Sequence, residues 1–195
     1  MNLHTDLINY IAKKIGAKSY LEIGVFNPDH NFNKVEIENK IGVDPDPNAK
    51  ASLCISSDEY FKTFLKFPIK FDVVFIDGLH YKDQVRKDAE NAWFMLNDGG
   101  VIIFHDCNPP TKQTTCIPRG AQREWCGDVY KTICKIISYK FTVDFDYGCT
   151  VLHKNGEDLE FTEQDIEWEE FDAFRKEALN LVSIEEAKKI IDQWT

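Results

Sequence analysis

The chain of 195 residues is long enough to bury one substantial core, and its 43% hydrophobic and 29% charged residues are those of an ordinary globular protein. Its apolar runs are only strand-sized, which excludes a transmembrane helix, and Met1 to Gly16 mixes Asp6, Lys13 and Lys14 with apolar residues, unlike a signal peptide. A cytoplasmic location is therefore expected. The net charge of −10 disfavours nucleic acid, yet nine acids between Asn155 and Phe174 carry almost all of it, leaving the body close to neutral.

The elements alternate along the chain. A helix over Asn2–Ile15 precedes a strand at Ser19–Val25, and a loop with a short helix leads to a strand at Lys40–Asp44. A short strand is expected at Ser52–Ile55, then a helix at Asp58–Lys66 and a buried strand at Phe71–Ile76. The helix Tyr81–Leu96 places Val85, Ala89, Ala92, Trp93 and Leu96 on one face, and Asn97-Asp98-Gly99-Gly100 turns it into a strand at Val101–Phe104. A long polar loop runs from Asp106 to about Gln122, a length typical of lids and binding segments. A helix at Asp128–Ser138 follows, then strands Phe141–Phe145 and Cys149–His153, which flank Asp146-Tyr147-Gly148 as a hairpin. Two helices end the chain, the last opened by the capping box Ser183-Ile184-Glu185-Glu186.

This order predicts an α/β, Rossmann-like, doubly wound and mostly parallel sheet of seven strands, with a C-terminal antiparallel hairpin and two extra helices. The α/β domain spans 1–155, and an acidic helical extension at 156–195 packs on it. Trp168, Phe171 and Phe174 on that extension would cover the sheet or a second subunit, which leaves a homo-oligomer open. The six cysteines contain no C-x-x-C pair and are expected to be reduced, although Cys107, Cys116 and Cys126 share one loop region.

The chemistry gathers where apolar strands turn polar. The first strand ends in Glu22-Ile23-Gly24 and the second in Asp44, twenty residues after Gly24. A glycine turn lets a ligand approach the backbone, and an acid at the next strand's tip can accept ribose hydroxyls. A dinucleotide would need G-x-G-x-x-G, whereas Gly24 is followed by Val25-Phe26-Asn27-Pro28-Asp29. A nucleoside without phosphates fits better, and S-adenosylmethionine is the obvious candidate; a nicotinamide dehydrogenase is disfavoured. Ser57 and Asp58 are placed to touch the adenine, although Ser56-x-x-Glu59 also reads as a capping box. Two further strands end in Asp77-Gly78-Leu79-His80 and His105-Asp106-Cys107-Asn108-Pro109-Pro110. They put two carboxylates and two imidazoles on one rim.

The runs Leu21–Val25, Gly42–Asp44, Phe71–His80 and Gly99–Asp106 resemble a class I S-adenosylmethionine-dependent methyltransferase. The likeness spans Ser19 to His153 and is greatest to the small bacterial branch with Mg²⁺-dependent sugar and antibiotic O-methyltransferases. It implies cofactor over the first two strands, held by Glu22, Gly24, Asp44, Ser57, Asp58 and Asp77, and a small polar acceptor near the fourth and fifth. Many members carry another glycine just after Gly24, where this chain has Phe26. Methyl transfer to a hydroxyl needs a proton acceptor, and His80 beside Asp77 suits that role by chemistry and by similarity. Asp77 and Asp106, with Asn108 as a third oxygen donor, suit Mg²⁺; His105 would suit Mn²⁺ or Fe²⁺ better. His4, His30 and His153 read as incidental. Lys112, Arg119 and Arg123 would hold an anionic acceptor group or be solvated, and Trp125 would wall the acceptor pocket or anchor a helix. The alternative is a non-catalytic binding or regulatory module on the same fold, presenting its acidic tail to a protein partner.

Overall fold

The computed structural model describes residues 1 and 3–194. Seven strands form one sheet in the order β2-β1-β3-β4-β6-β5-β7, with β1 Ser19–Ile23, β2 Asn39–Val43, β3 Phe71–Ile76, β4 Leu96–Phe104, β5 Lys140–Val143, β6 Cys149–His153 and β7 Leu181–Val182. The first four run parallel, β6 is antiparallel to both β4 and β5, and β7 returns parallel to β5. Strand alternation sends residues to two separate cores. Leu21, Ile23, Val74, Ile76, Ile102 and Phe104 meet α2 Ser57–Phe64, α3 Lys82–Phe94, α4 Val129–Lys135 and α5 Trp168–Ala178. Tyr20, Val73, Phe75, Val101 and Ile103 meet α1 His4–Ile15 and α6 Ile184–Asp192. Within the parallel half β1, β3 and the end of β4 are thus buried on both faces, as their apolar runs require, while the edge strand β2 is only partly covered.

Several boundaries differ from the sequence reading. The first helix starts at His4, and the expected start at Asn2 lies outside the described residues. The segment Ser52–Ile55 makes only a single bridge, Val43 to Leu53. Ser56 is recruited to cap α2 and turns the chain away from the sheet edge. The seventh strand comes instead from the tail, at Leu181–Val182. The helix α3 ends at Phe94, because Met95 and Leu96 are drawn into the core at the start of β4, where the register shifts against β3.

Four of the nine acids in the acidic stretch pair with cations in the body of the same chain. Glu163 pairs with Arg86, Asp165 with Lys82 and Lys135, Glu167 with Lys131, and Glu169 with Lys112. Phe171 is fully buried against Tyr130, while Phe174 remains exposed. All six cysteines are free, and no helix among the described residues is long and apolar enough to cross a membrane.

Both expected capping boxes form. Ser183 Oγ accepts from the Glu186 N–H at 3.2 Å while the Glu186 carboxylate accepts from the Ser183 N–H at 2.8 Å. Ser183→Ala should lower stability by about 1 kcal/mol, read as a shifted urea midpoint with an unchanged slope.

Candidate active site

Strands β1 to β4 end along one carboxyl edge, the place where open parallel sheets bind ligands. Gly24 lies there with φ of 86°, and a Cβ on it would fall 2.2 Å from the Asp77 carbonyl oxygen. Only glycine lets the ends of β1 and β3 close in this way. Asp44 then ties the two neighbouring loops. Its Oδ2 accepts from the N–H groups of Val25 (3.0 Å) and Phe26 (2.9 Å), and its Oδ1 accepts from the Asp46 N–H (2.8 Å). A carboxylate has about four acceptor positions, so one remains for a ligand. Phe26 has a left-handed φ of 51° and an exposed ring.

A cleft of about 490 Å³ opens over this edge. Gly24, Asp44, Ser57, Asp58 and Asp77 line it, together with Gln84, whose amide nitrogen donates to Ser57 Oγ (3.2 Å) and Asp58 Oδ1 (3.1 Å). Three carboxylates and no Lys or Arg form its lining, which favours a cationic ligand over a phosphate.

Glu22 is not in the lining. It alternates with Ile23 and faces the opposite core, where its Oε2 accepts from the Tyr20 hydroxyl at 2.6 Å and from Asn31 Nδ2 at 2.8 Å. Asn31 in turn accepts from Thr5 Oγ1 in the first turn of α1. Burial pushes the Glu22 carboxyl up to about 8, opposed by the Tyr20 and Asn31 hydrogen bonds and assisted by the Asp77 charge. The acid at the end of β1 therefore joins strand to helix beneath the site instead of touching a ligand in the cleft.

Asp77 also faces a cluster on the other side. His80 Nε2 lies 3.2 Å and His105 Nδ1 3.2 Å from its Oδ1. Asp106, with a left-handed φ of 58°, places Oδ2 3.3 Å from His80 Nδ1 and 3.5 Å from His105 Nδ1. Burial opposes ionisation of Asp77, but the charge and hydrogen bond of His105 and those of His80 outweigh it and hold the carboxyl well below the carboxylate range. The same pairings outweigh burial at both imidazoles and raise them. One donor atom each from Asp77, His80 and Asp106 lies within 4.8 Å of the others, and the same holds for His4, His105 and Asp146.

The long loop closes over His80. Trp125 stacks on its ring at 5.1 Å, and the Trp125 carbonyl is 3.1 Å from His80 Nδ1. The loop is fixed there because Asp128 accepts from the Lys82 N–H at the start of α3 and donates its own N–H to the His80 carbonyl. Gly127, at φ 59°, packs against that carbonyl. Asn108 is drawn away from the carboxylates, its Oδ1 accepting from Arg175 and its Nδ2 donating to Asp144, so it supplies no third oxygen. Lys112 is paired with Glu169, and Arg119 lies over Trp125. From the sequence His4 reads as incidental and Asp146 only as part of a hairpin turn. A histidine in the first turn of a helix and an aspartate in a hairpin turn carry no local signal, and only the pairing of β6 with β4 brings them beside His105.

Raised in the fold, Glu22 binds a proton that the unfolded chain has released, so stability falls as pH rises from the ordinary glutamate value toward about 8. Glu22→Gln should remove that fall. Its melting temperature relative to the native chain should improve steadily between pH 5 and pH 8, and parallel curves would show that Glu22 is ionised throughout.

The sequence pattern of a methyltransferase domain matches residues 29–107. No curated protein matches the chain in sequence. Among solved structures, an O-methyltransferase from Bacillus cereus in complex with S-adenosylhomocysteine has a TM-score of 0.52 at 13% identity, over 77% of this chain and 80% of that one. The O-methyltransferase TomG from Streptomyces achromogenes, involved in tomaymycin synthesis and bound to S-adenosylmethionine, has a TM-score of 0.52 at 14% identity, over 78% and 80%. The S-adenosylhomocysteine-bound methyltransferase PaMTH1 from Podospora anserina has a TM-score of 0.53 at 14% identity, over 82% and 78%. The chain thus has the fold of these S-adenosylmethionine-dependent methyltransferases, and residues 29–107 match a methyltransferase domain.

Proposed function

We propose that the chain transfers a methyl group from S-adenosylmethionine to a hydroxyl of a small polar acceptor such as a sugar, assisted by a divalent cation, Mg²⁺ or Mn²⁺. The observation that carries this reading is that Asp77 belongs both to the acidic cleft and to the histidine–carboxylate cluster. A ligand in the cleft and a hydroxyl at the cluster would meet across one side chain. The cofactor's chemistry is a methyl group on a positively charged sulfur.

The residues supply the rest. Asp44 offers its remaining acceptor position to a ribose hydroxyl. Ser57 and Asp58, held by Gln84, edge the far end of the cleft. Asp77 presents negative charge toward a cationic centre, which also disfavours phosphate-bearing ligands. His80 is the proton acceptor: its Nδ1–H, directed at the Trp125 carbonyl, fixes the tautomer and leaves Nε2 as the basic atom on the Asp77 side. Asp77 and Asp106 supply the hard oxygen donors that Mg²⁺ favours, and a cation there would lower the acceptor's pKa and orient it. His105 Nδ1 orients those two carboxylates by donating to them. The half-buried Trp125 ring beside His80 provides a flat apolar surface of the kind that packs against a sugar ring.

Calorimetric titration with S-adenosylmethionine and S-adenosylhomocysteine should give micromolar binding to the native chain. Asp44→Asn should weaken it tenfold or more. A folded native chain that binds neither compound would sink the reading. With an acceptor found by screening, His80→Ala should lower kcat by about 100-fold and leave cofactor affinity unchanged. Asp106→Asn should instead abolish stimulation by Mg²⁺, as should a chelator on the native chain. Full turnover in both variants would remove the cluster from the mechanism.

A further inference from the structure

We propose that His4 Nδ1, His105 Nε2 and Asp146 Oδ2 form a second metal site, for a divalent transition ion of the Zn²⁺ or Fe²⁺ kind, which staples the start of α1 to the sheet rim. The three side chains come from three separate elements: the first turn of α1, the end of β4 and the turn between β5 and β6. His105 is nine-tenths buried, and its Nε2 has no hydrogen-bond partner among the described residues although it points at Asp146. Its other nitrogen faces the Asp77 carboxylate at 3.2 Å. That is the arrangement by which a carboxylate fixes the tautomer of a ligating histidine and leaves the far nitrogen's lone pair for a metal.

The spacing also favours an ion over a simple hydrogen bond. His105 Nε2 lies 3.6 Å from Asp146 Oδ2, too far for an N–H···O contact. Adjacent donors around a tetrahedral Zn²⁺ stand about 3.4 Å apart, given metal–ligand bonds near 2.1 Å. His4 Nδ1, now 2.7 Å from the same oxygen, would need only a small side-chain adjustment. Two imidazoles and one carboxylate are a donor set for zinc or iron, and a poor one for Mg²⁺.

Asp146 sits in a tight turn. Asp146 and Tyr147 have left-handed φ values of 49° and 60°, and Gly148 follows at 87°. The turn is clamped to the strand end that carries His105, because Cys107 N–H donates to the Gly148 carbonyl at 3.0 Å and Asn108 N–H to the Tyr147 carbonyl at 2.7 Å. On the other side the His4 ring stacks on Phe75 and meets His105 edge-on at 4.8 Å. A surface cavity of about 250 Å³, lined by Asp146, Asn108 and Arg175 among others, lies beside the turn.

The test uses the full chain freed of metal by a chelator and Co²⁺ as the probe, followed by its visible ligand-field bands and by metal content per chain. Beside any ion held at the Asp77–Asp106 cluster, the native chain should bind a Co²⁺ with the spectrum of a nitrogen-rich, low-coordinate site and should melt at a higher temperature with Zn²⁺ present. His4→Ala should weaken that binding by on the order of a hundredfold and abolish the thermal shift. Its backbone N–H still donates to Asp146, so the helix start is preserved. Asp146→Asn, which keeps one oxygen for that contact, should act in the same direction. His80→Ala, which removes a group from the neighbouring cluster and leaves the partners of His4, His105 and Asp146 in place, should retain the bands. Absence of such bands in the native chain, or an unchanged titration in His4→Ala, overturns the proposal.

Discussion

The Asp77 carbonyl oxygen leaves no room for any side chain at position 24, so β1 and β3 can close at their carboxyl ends only over a hydrogen atom. That contact fixes where the Asp77 carboxylate emerges. From there its Oδ1 lies 3.2 Å from both His80 Nε2 and His105 Nδ1, and each histidine turns its other nitrogen to a different element. His80 is tied to the carbonyl of Trp125 in the long loop, and His105 looks toward the β5–β6 turn. The cleft, the loop and the hairpin are therefore referenced to one residue. A displacement at Gly24 would move all three.

The rim concentrates Asp77, Asp106 and Asp146 with His4, His80 and His105 in a largely buried strip. Carboxylates taken out of water are tolerated only when paired and hydrogen-bonded, and removing one partner leaves an uncompensated charge. Here each acid has an imidazole within 3.3 Å, and none is paired with Lys or Arg among the described residues. Imidazole differs from those cations in that it can exchange its proton for a metal ion or pass it to a substrate. A strip built for rigidity alone would be better served by an arginine fork. The choice of histidine at three positions is thus itself an argument for chemistry at this edge.

How far the sequence revealed this depends on the range of the interactions. The buried strands, the capping boxes at Ser56 and Ser183 and the polar residues after β3 and β4 follow from periodicity and short spacings, and they were legible. Ser52–Ile55 looked like a strand because its composition permits one; the competing use of Ser56 as a cap decided otherwise. Glu22 was read as facing the ligand because it ends a strand beside Gly24. Period-two alternation turns it to the opposite face, where Tyr20 and Asn31 hold it. Asn108 follows an aspartate that does reach the cluster, yet Arg175, 67 residues away, takes its oxygen. His4 and Asp146 are 142 residues apart, and nothing local connects them.

The acidic tail shows how a compositional signal can mislead about partners. Nine acids without a cation between them suggest a surface awaiting a basic protein, yet the cations that answer them lie on α3, α4 and the loop after β4 of the same chain. Exposed pairs of this kind contribute little singly, but one of them reaches the loop that carries the site. Lys112 in that loop meets Glu169, and Arg175 in α5 donates to the Pro109 carbonyl and to Asn108, two residues beyond Asp106. Phe171 anchors the same helix in the core under Tyr130. The tail therefore acts as a strap across the outer end of the Asp106 loop, while Trp125 and Asp128 pin its inner end to His80 and α3. With both ends fixed, the left-handed backbone at Asp106 can be held in place, which keeps its carboxylate turned toward His80 and His105.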